Sequence, residues 1–358
     1  MSAPLRVALI GCGGISKSHI TGLAEAGDDL AHLCACCDLQ EDLASAIATV
    51  HPHRPPVYTD HRAMLAQQRP EVVIVATPPN SHVPLSCDCL EAGAHVLCEK
   101  PSALSSAENE RAIAVAQRSG RELLFFSARM RGGPVPAARR AIQAGTLGRI
   151  YRADVQFWLP ASRACDTGKP VWFGQRAKAG GGAFMDMGQY LLDRTFHLLG
   201  WPAVQRVFAA TYSGMPTGLS ADSGWDVEDQ VTLQAHLDGG CVLSCDATAR
   251  VNQHWRWHTE LRGTAATLLI DQTRSERKAV LQRRNGESIE EEELPSGPAQ
   301  HNLVQRLQAL AALNDGGPVA AVRALGTTPL EALQLTRFCE LAYASAACGR
   351  DLAPEEAA

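Results

Sequence analysis

The chain has 358 residues, of which 46% are hydrophobic, and its 33 Lys and Arg against 38 Asp and Glu give a formal net charge of −5. This composition supports a hydrophobic core and the length predicts about two domains, so a mainly disordered chain is excluded. The balanced charge, without a basic tract, argues against nucleic acids and membrane surfaces as partners. No apolar run approaches the roughly 20 residues that span a bilayer, and no signal-peptide pattern precedes the first strand, so we expect a cytoplasmic protein.

Twelve cysteines are present, and most lie inside apolar runs such as Cys34-Ala35-Cys36-Cys37. Buried thiols of this kind are typical of a protein in a reducing compartment rather than of a disulfide scaffold. The pairs Cys87-x-Cys89 and Cys241-x3-Cys245 lack a second half at zinc-finger spacing. We therefore predict no metal site.

The first 126 residues alternate short aliphatic runs with longer amphipathic stretches. Runs that are apolar throughout are typical of parallel strands covered by helices on both faces. Right-handed crossovers between such strands build a doubly wound Rossmann sheet, so we predict an α/β domain over residues 1–130. A capping box, Ser105-x-x-Glu108, predicts one more crossover helix before the last strand. The predicted strands are Leu5–Ile10, Leu30–Cys37, Val72–Ala76, His95–Cys98 and Leu123–Phe126.

The pattern changes at Gly132-Gly133-Pro134, which interrupts the alternation. Later strands alternate with period two, and Asp238-Gly239-Gly240 and Asn285-Gly286 are hairpin signals. We predict a second, α+β domain over residues 131–358 with a large, mostly antiparallel open sheet. Residues 182–200 are helical by period, and two helices close the chain. The predicted strands are Ile150–Leu159, Val204–Tyr212, Gln230–Leu237, Cys241–Ala249 and Trp255–Arg262.

A glycine-rich turn follows the first strand and opens a helix. Its amides and the positive end of the helix can hold a pyrophosphate that larger side chains would obstruct. Ser16 stands in the position of the third glycine and is small enough for close packing. Asp38 ends the second strand, 22 residues after Ser16, where a carboxylate binds the adenosine ribose and repels a 2′-phosphate, so NAD is favoured over NADP. The turn consists of Gly11, Cys12, Gly13, Gly14, Ile15 and Ser16.

Two further motifs follow later strands, at the carboxyl ends where open parallel sheets bind ligands. They supply Thr77, Pro78, Asn80 and His82, and then Glu99, Lys100 and Pro101. Taken singly, Lys100 is most simply a surface lysine and His82 a polar residue at a helix start. Taken in this order and at these spacings, the glycine turn, Asp38 and both motifs closely resemble the Gfo/Idh/MocA family of nicotinamide-dependent dehydrogenases, which includes glucose-fructose oxidoreductase, inositol dehydrogenase and dihydrodiol dehydrogenase. The resemblance implies that all of these segments contact NAD.

The resemblance continues through residues 180–193, GGGAFMDMGQYLLD, and through Val227-Glu228-Asp229. It implies that Lys100 lies beside the nicotinamide and that Asp186 faces the substrate carbon, while Tyr190 occupies the family's histidine position. The proton acceptor therefore stays open among these three residues. A helix would place Asp186 and Tyr190, four residues apart, on one face. A tyrosine, whose ordinary pKa is about 10, is a useful base only if a nearby positive charge stabilises its phenolate.

Other residues of the second domain have simpler structural explanations. We expect Asp193 to be a buried partner of an arginine or a backbone group, and His197 to be a histidine at the edge of the core. Trp255 and Trp257 alternate on a strand, which favours packing on a sheet face or at a subunit interface. Residues 159–179 are candidates for substrate specificity, a lid or a dimer loop. This stretch contains Arg163, Lys169, Trp172, Arg176 and Lys178.

Together these features predict an NAD-dependent oxidoreductase that moves hydride between a secondary alcohol, on a sugar, cyclitol or glycoside, and C4 of the nicotinamide. Two alternatives remain: a redox-neutral glycosidase that uses bound NAD transiently, and a cofactor-binding regulator without turnover. The presence of Lys100 and Asp186 argues against the regulator. Because the open sheet is expected to expose a large apolar face in a monomer, we also predict a homodimer or homotetramer.

Overall fold

The computed structural model describes residues 3–160, 170–215, 224–272, 277–297 and 301–357, apart from the side chains of residues 129 and 130. The chain divides into two compact units, Met1–Arg129 with Gln300–Leu333 and Met130–Ala299 with Gln334–Ala358. Among the described residues, no helix is long and apolar enough to cross a membrane.

The first unit is built on a parallel β-sheet. Its strands are β1 (Leu5–Ile10), β2 (Ala31–Cys37), β3 (Val57–Tyr58), β4 (Val72–Val75), β5 (His95–Cys98) and β6 (Leu123–Phe125). They pair in the order β3-β2-β1-β4-β5-β6, and apolar clusters cover the sheet. The Rossmann fold is therefore confirmed, with each predicted strand in place to within one residue at either end. Strand β3 was not predicted because two residues carry no periodic signal.

Helices connect these strands as crossovers. They are α1 (Ser16–Ala26), α2 (Glu41–Val50), α3 (His61–Gln68), α4 (His82–Glu91) and α5 (Ser106–Ser119). The predicted capping box begins α5: the Ser105 hydroxyl accepts from the Glu108 amide at 3.3 Å, and the Glu108 carboxylate accepts from the Leu104 amide at 2.8 Å. The first contact satisfies an amide of the first helical turn, which has no partner within the helix, and the second satisfies the amide of the residue before the N-cap.

The second unit is built on a larger sheet. Its strands are β7 (Ile150–Pro160), β8 (Val204–Tyr212), β9 (Gln230–Leu237), β10 (Val242–Val251), β11 (Arg256–Gly263), β12 (Thr267–Gln272), β13 (Arg277–Asn285) and β14 (Ser288–Glu293). Within the described ranges they pair in the order β14-β13-β12-β11-β7-β10-β9-β8. Strands β7 and β10 run parallel and the other neighbours antiparallel, which confirms the predicted mostly antiparallel sheet.

Helices α6 (Val135–Gln143), α7 (Arg176–Ala179) and α8 (Gln189–Leu199) lie between β6 and β8. A π-helical turn over Phe184–Gly188 precedes α8, where the periodicity predicted an uninterrupted helix. Such turns recur at functional sites because they shift the direction of side chains within a helix.

Helices α9 (Asn302–Asn314), α10 (Val319–Arg323) and α11 (Pro329–Cys348) follow β14, and α11 extends from the first unit into the second. Residues 300–333 belong to the first unit, whereas the sequence predicts a second domain over residues 131–358 that includes them. The reason lies in side-chain packing. Leu303 and Leu307 join the apolar cluster that contains Leu9, and Gly22 of α1 lies so close to His301 that a Cβ would come within 2.5 Å of the imidazole.

The outer face of the second sheet is largely polar, so the expectation of a large apolar face is wrong. The Arg152 guanidinium pairs with Asp154 at 2.7 Å, and the Trp158 indole N–H donates to Asp246 at 2.9 Å. Trp257 instead packs in the core, 5.3 Å from the Phe157 ring. Because side chains alternate along a strand, Phe157 and Trp257 point into the core while Trp158 points to the outer face. The homo-oligomer stays a prediction, without the apolar face as its reason.

A buried ion pair ties α8 to the segment before α6. The Arg131 Nε atom lies 2.7 Å from Asp193 Oδ1, and Nη2 lies 2.8 Å from Oδ2. Both side chains are buried. The interpretation of Asp193 as the buried partner of an arginine is confirmed.

Asp193→Asn should destabilise the protein by about 3–5 kcal/mol, because it leaves the Arg131 charge buried without its carboxylate. Glu292→Gln is the control: Glu292 forms an exposed pair with Arg283, and its loss should cost less than about 1 kcal/mol. Denaturant unfolding measures both variants. Equal losses of stability would contradict the importance of the buried pair.

His197, on α8, should make the stability of the protein sensitive to acid. Burial, aided by the nearby Arg131 and Arg139, lowers the pKa of His197 to about 4. The unfolded chain, with a pKa near 6.5, then takes up the proton first, so the free energy of unfolding falls from pH 6.5 toward pH 4. His197→Gln should reduce this fall by on the order of 2 kcal/mol. An equal pH dependence of the free energy of unfolding in the unmodified protein and in His197→Gln would contradict this prediction.

Candidate active site

The glycine turn between β1 and α1 is shaped for a ligand that approaches the backbone. Gly11 has a φ of +92°, and a Cβ there would lie 2.6 Å from the carbonyl of Ala76. At Gly13 and Gly14 an added Cβ would meet no atom within 4 Å, so these positions face open space. No side chain caps α1, and its first turn has no acidic residue. The amides at this helix end can therefore receive an anion such as a pyrophosphate.

Ser16 and Asp38 complete the turn. Ser16 is fully buried and its hydroxyl donates to the Gly13 carbonyl, as a small residue at the third glycine position should. Asp38 is half-buried, with Oδ2 accepting from the Cys12 amide at 2.7 Å and Oδ1 from the Gln40 amide at 2.9 Å. Each carboxylate oxygen has a second lone pair for a hydroxyl. These residues fit the pyrophosphate and ribose of a dinucleotide.

The segment after β4 is held by His82, which is fully buried. Its Nδ1 lies 2.7 Å from the Pro101 carbonyl oxygen, and its Nε2 lies 2.8 Å from that of Thr77. Burial lowers the pKa of His82, although both carbonyls oppose this shift. His82 thus links the segments after β4 and β5. Its direct contact with NAD stays a prediction.

The other members of this segment are more accessible. Thr77 and Pro78 are half-buried, and Asn80 is exposed. The Ser81 hydroxyl donates to Thr77 Oγ1 at 2.7 Å and contacts the Pro78 carbonyl at 2.8 Å, which closes a compact turn. The structure therefore leaves Thr77, Pro78 and Asn80 at the surface of the carboxyl edge, where a ligand can reach them.

Glu99 positions the backbone of Lys100. Its buried carboxylate accepts from the Lys100 amide at 3.2 Å through Oε2, and its Oε1 lies 3.0 Å from Nε2 of His19. His19 was not predicted as a site residue, and it stands on α1, one turn beyond the glycine turn. Its spacing from Ser16 was the available signal, since residues three apart share a helix face. Lys100 itself is half-buried.

The second unit carries the other predicted catalytic residues. Asp186 lies in the π-helical turn before α8 and is half-buried. Tyr190, in the first turn of α8, is 5% exposed and belongs to the apolar cluster of this unit. The π turn thus sets Asp186 apart from the regular helix that holds Tyr190. Lys100 belongs to the first unit.

The candidate specificity segment is described only in part, since Arg163 and Lys169 lie outside the described residues. Trp172 stacks on Phe173 with ring centroids 3.8 Å apart. Arg176 pairs with Glu228 at 3.5 Å, whereas Lys178 is exposed. Among described residues, no group of His, Cys, Asp or Glu could hold a metal ion. Every described cysteine is a free thiol.

Comparison with known proteins agrees with this geometry. Residues 5–126 match the model of the oxidoreductase family with an NAD-binding Rossmann fold, and residues 135–269 match the Gfo/Idh/MocA C-terminal domain. D-glucoside 3-dehydrogenase of Escherichia coli K12 is 32% identical over 261 residues, covering 70% of this chain and 72% of that protein.

Solved structures share the fold along nearly the whole chain. GenD2 from gentamicin A biosynthesis, in complex with NAD, is 26% identical with a TM-score of 0.77, covering 99% of this chain and 97% of that one. Levoglucosan dehydrogenase, with NADH and levoglucosan, has a TM-score of 0.83 at 21% identity, covering 98% and 99%. The chain belongs to the Gfo/Idh/MocA oxidoreductase family and is an NAD-dependent enzyme that acts on CH–OH groups.

Proposed function

We propose that this enzyme oxidises or reduces a secondary alcohol on a sugar, cyclitol or glycoside. The observation that carries the proposal is the anchoring of Lys100 by Glu99 at the carboxyl edge of the sheet that also bears the glycine turn and Asp38. Bound NAD supplies the group that exchanges hydride with the substrate carbon. The chain must then bind the dinucleotide, hold the alcohol and move one proton.

The sugar class is supported by the relatives. D-glucoside 3-dehydrogenase, levoglucosan dehydrogenase and D-apiose dehydrogenase are all similar to this chain, at 32%, 28% and 31% identity. Each of these names designates a dehydrogenase of a carbohydrate. We infer a substrate of the same chemical class here, with the oxidised carbon left to experiment.

The residues of this chain have separate tasks in the proposed reaction. The amides of Gly13, Gly14 and Ile15 would receive the pyrophosphate, and Asp38 would bind the ribose hydroxyls. Thr77, Pro78 and Asn80 would line the dinucleotide, while His82 and Glu99 would hold the segments that carry it. Lys100, Asp186 and Tyr190 would bind the alcohol oxygen and transfer its proton.

A panel of sugars, inositols and glycosides, followed by NADH absorbance and product analysis, tests the function. Net NADH formation with an oxidised sugar is expected. Cleavage of a glycoside without accumulated NADH would favour a redox-neutral glycosidase. Tight NAD binding with neither reaction would favour a regulator.

Replacing Lys100 by Met keeps the aliphatic stem and removes the ammonium group. We expect kcat to fall roughly 10²–10⁴-fold with little change in NAD affinity, and Asp186→Asn to behave similarly, because each loses a proton-transfer or charge-stabilising group. Steady-state kinetics and NAD titration measure the two effects. Near-normal turnover of Lys100→Met would rule out this mechanism.

Tyr190→Phe distinguishes the proton acceptors. If the phenol carries the proton, the rate should collapse as it does in Lys100→Met. A loss below about tenfold would leave Lys100 or Asp186 in that role. Because Tyr190 packs in the core, thermal unfolding must first establish that the variant is folded.

NAD should bind at least several-fold more tightly than NADP, because the Asp38 carboxylate repels a 2′-phosphate and residues 39–42 include no cation to balance it. Asp38→Asn should narrow this difference in affinity, because it weakens the binding of NAD and removes the charge that repels the 2′-phosphate of NADP. Fluorescence titration with both cofactors measures the preference. Equal affinities in the unmodified protein would contradict the role assigned to Asp38.

A further inference from the structure

Glu228 lies beneath the turn that carries Asp186. It is 2% exposed and precedes β9. Its Oε1 atom accepts from the Gly182 amide at 2.9 Å and the Phe184 amide at 3.3 Å, and its backbone carbonyl accepts from the Ala183 amide at 3.4 Å. Three successive amides thus donate to one residue.

Two other side chains hold the Glu228 carboxylate. The Tyr343 hydroxyl donates to Oε1 at 2.9 Å, and Arg176 Nη2 lies 3.5 Å from Oε2 with its guanidinium over the Tyr343 ring. Burial and the adjacent Glu228 raise the pKa of Tyr343 well above its ordinary value, so this hydroxyl remains a donor. The carboxylate is therefore surrounded by donors from separate segments of the second unit.

The glycine run before the π turn has a steric explanation in this contact. A Cβ on Gly182 would lie 1.8 Å from the Glu228 carbonyl oxygen, and one on Gly181 would lie 2.1 Å from the Tyr343 hydroxyl. At Gly182 the overlapping atom is backbone and cannot yield, so only glycine allows this approach, whereas at Gly181 a Cβ would displace the Tyr343 hydroxyl from its place. The run brings its amides to the carboxylate.

Backbone hydrogen bonds link Glu228 to Asp186 through Gly182. The Asp186 amide donates to the Gly182 carbonyl at 2.9 Å, and the Gly182 amide donates to Glu228. The backbone next to Glu228 is held by the sheet. The Asp229 amide donates to the Tyr212 carbonyl, and the Asp229 carbonyl accepts from the Ala249 amide, both at 2.8 Å. The strands of the sheet thereby fix the carboxylate that fixes the turn.

We propose that Glu228 is a positioning residue, whose contact with the amides of residues 182–184 holds Asp186 in the geometry that the reaction needs. This inference rests on the role proposed for Asp186. A displacement of about 1 Å at a reacting group can cost on the order of 10²-fold in rate, so a residue that touches no substrate can control kcat.

Glu228→Gln tests the proposal because it keeps the shape of the side chain and removes its charge. It also places an amide NH₂ group, which cannot accept a hydrogen bond, next to the Arg176 guanidinium. We expect kcat to fall about 10- to 100-fold, while the KM for the alcohol and the Kd for NAD change less than about threefold. Glu122→Gln is the matched control. The Glu122 carboxylate also pairs with an arginine, with both oxygens 2.8 Å from Arg323 nitrogens, but it belongs to the first unit rather than to the segment that carries Asp186, so kcat should stay within about threefold.

A double-mutant cycle separates positioning of Asp186 from a general effect on the fold. In the Asp186→Asn background, Glu228→Gln should lower kcat by less than about threefold further, because the group that it positions is already inactive. Full additivity of the two losses would overturn the inference. A matching rise in KM or NAD Kd would also overturn it.

Amide hydrogen exchange supplies a readout that does not depend on turnover. Residues 182–184 should exchange faster in Glu228→Gln and keep normal protection in Glu122→Gln. If the alcohol panel gives no turnover, the proposed function fails while this measurement still decides whether Glu228 holds the turn. Unchanged exchange at residues 182–184 would overturn the inference.

Should Glu228→Gln fail to fold, Tyr343→Phe takes its place. It keeps the ring edge-on to Phe184, with centroids 5.9 Å apart, and removes only the hydroxyl that donates to Oε1. A two- to fivefold loss of kcat is expected, and it should disappear in the Asp186→Asn background. No loss, or a loss that persists in that background, would overturn the inference.

Discussion

Carboxylate side chains that accept hydrogen bonds from backbone amides hold the segments that we propose to carry the chemistry. Asp38 accepts from the glycine turn, Glu99 from Lys100, and Glu228 from the turn before Asp186. A hydrogen bond to an ionised acceptor is shorter and stronger than a neutral one, and in a buried setting it fixes the backbone closely. The side chains proposed to react therefore extend from backbone that is already fixed.

These carboxylates work only because the backbone can approach them. Gly182 brings its amide close to Glu228, and Gly11 lets the turn pass against the Ala76 carbonyl. At Gly13 and Gly14 the same absence of a Cβ leaves space for a ligand rather than for the protein. Glycine therefore serves two purposes here, close internal contact and room for the dinucleotide, and only the surroundings of each position separate them.

The side chains proposed to be catalytic belong to two units with different constraints. Lys100 follows a buried parallel strand, whose carboxyl end is the usual ligand edge of such a sheet. Asp186 belongs to a π turn, which is less regular than an α-helix and is held by the hydrogen bonds of Glu228 to the adjacent amides. Tyr190 lies in the next, regular turn and packs in the core. The segment that carries Asp186 therefore depends more on its neighbours than the segment that carries Lys100.

Local pattern determined much of this protein from the sequence alone. The apolar runs predicted the parallel strands, and motif spacing predicted the dinucleotide turn, Asp38 and Lys100, because these features depend on residues close in the chain. Tertiary structure decided the rest. The pairing of His19 with Glu99 spans 80 residues, and that of Gly182 with Glu228 spans 46. The inward turn of Trp257 and the docking of α9 on α1 also depend on contacts between distant segments, which no local periodicity records.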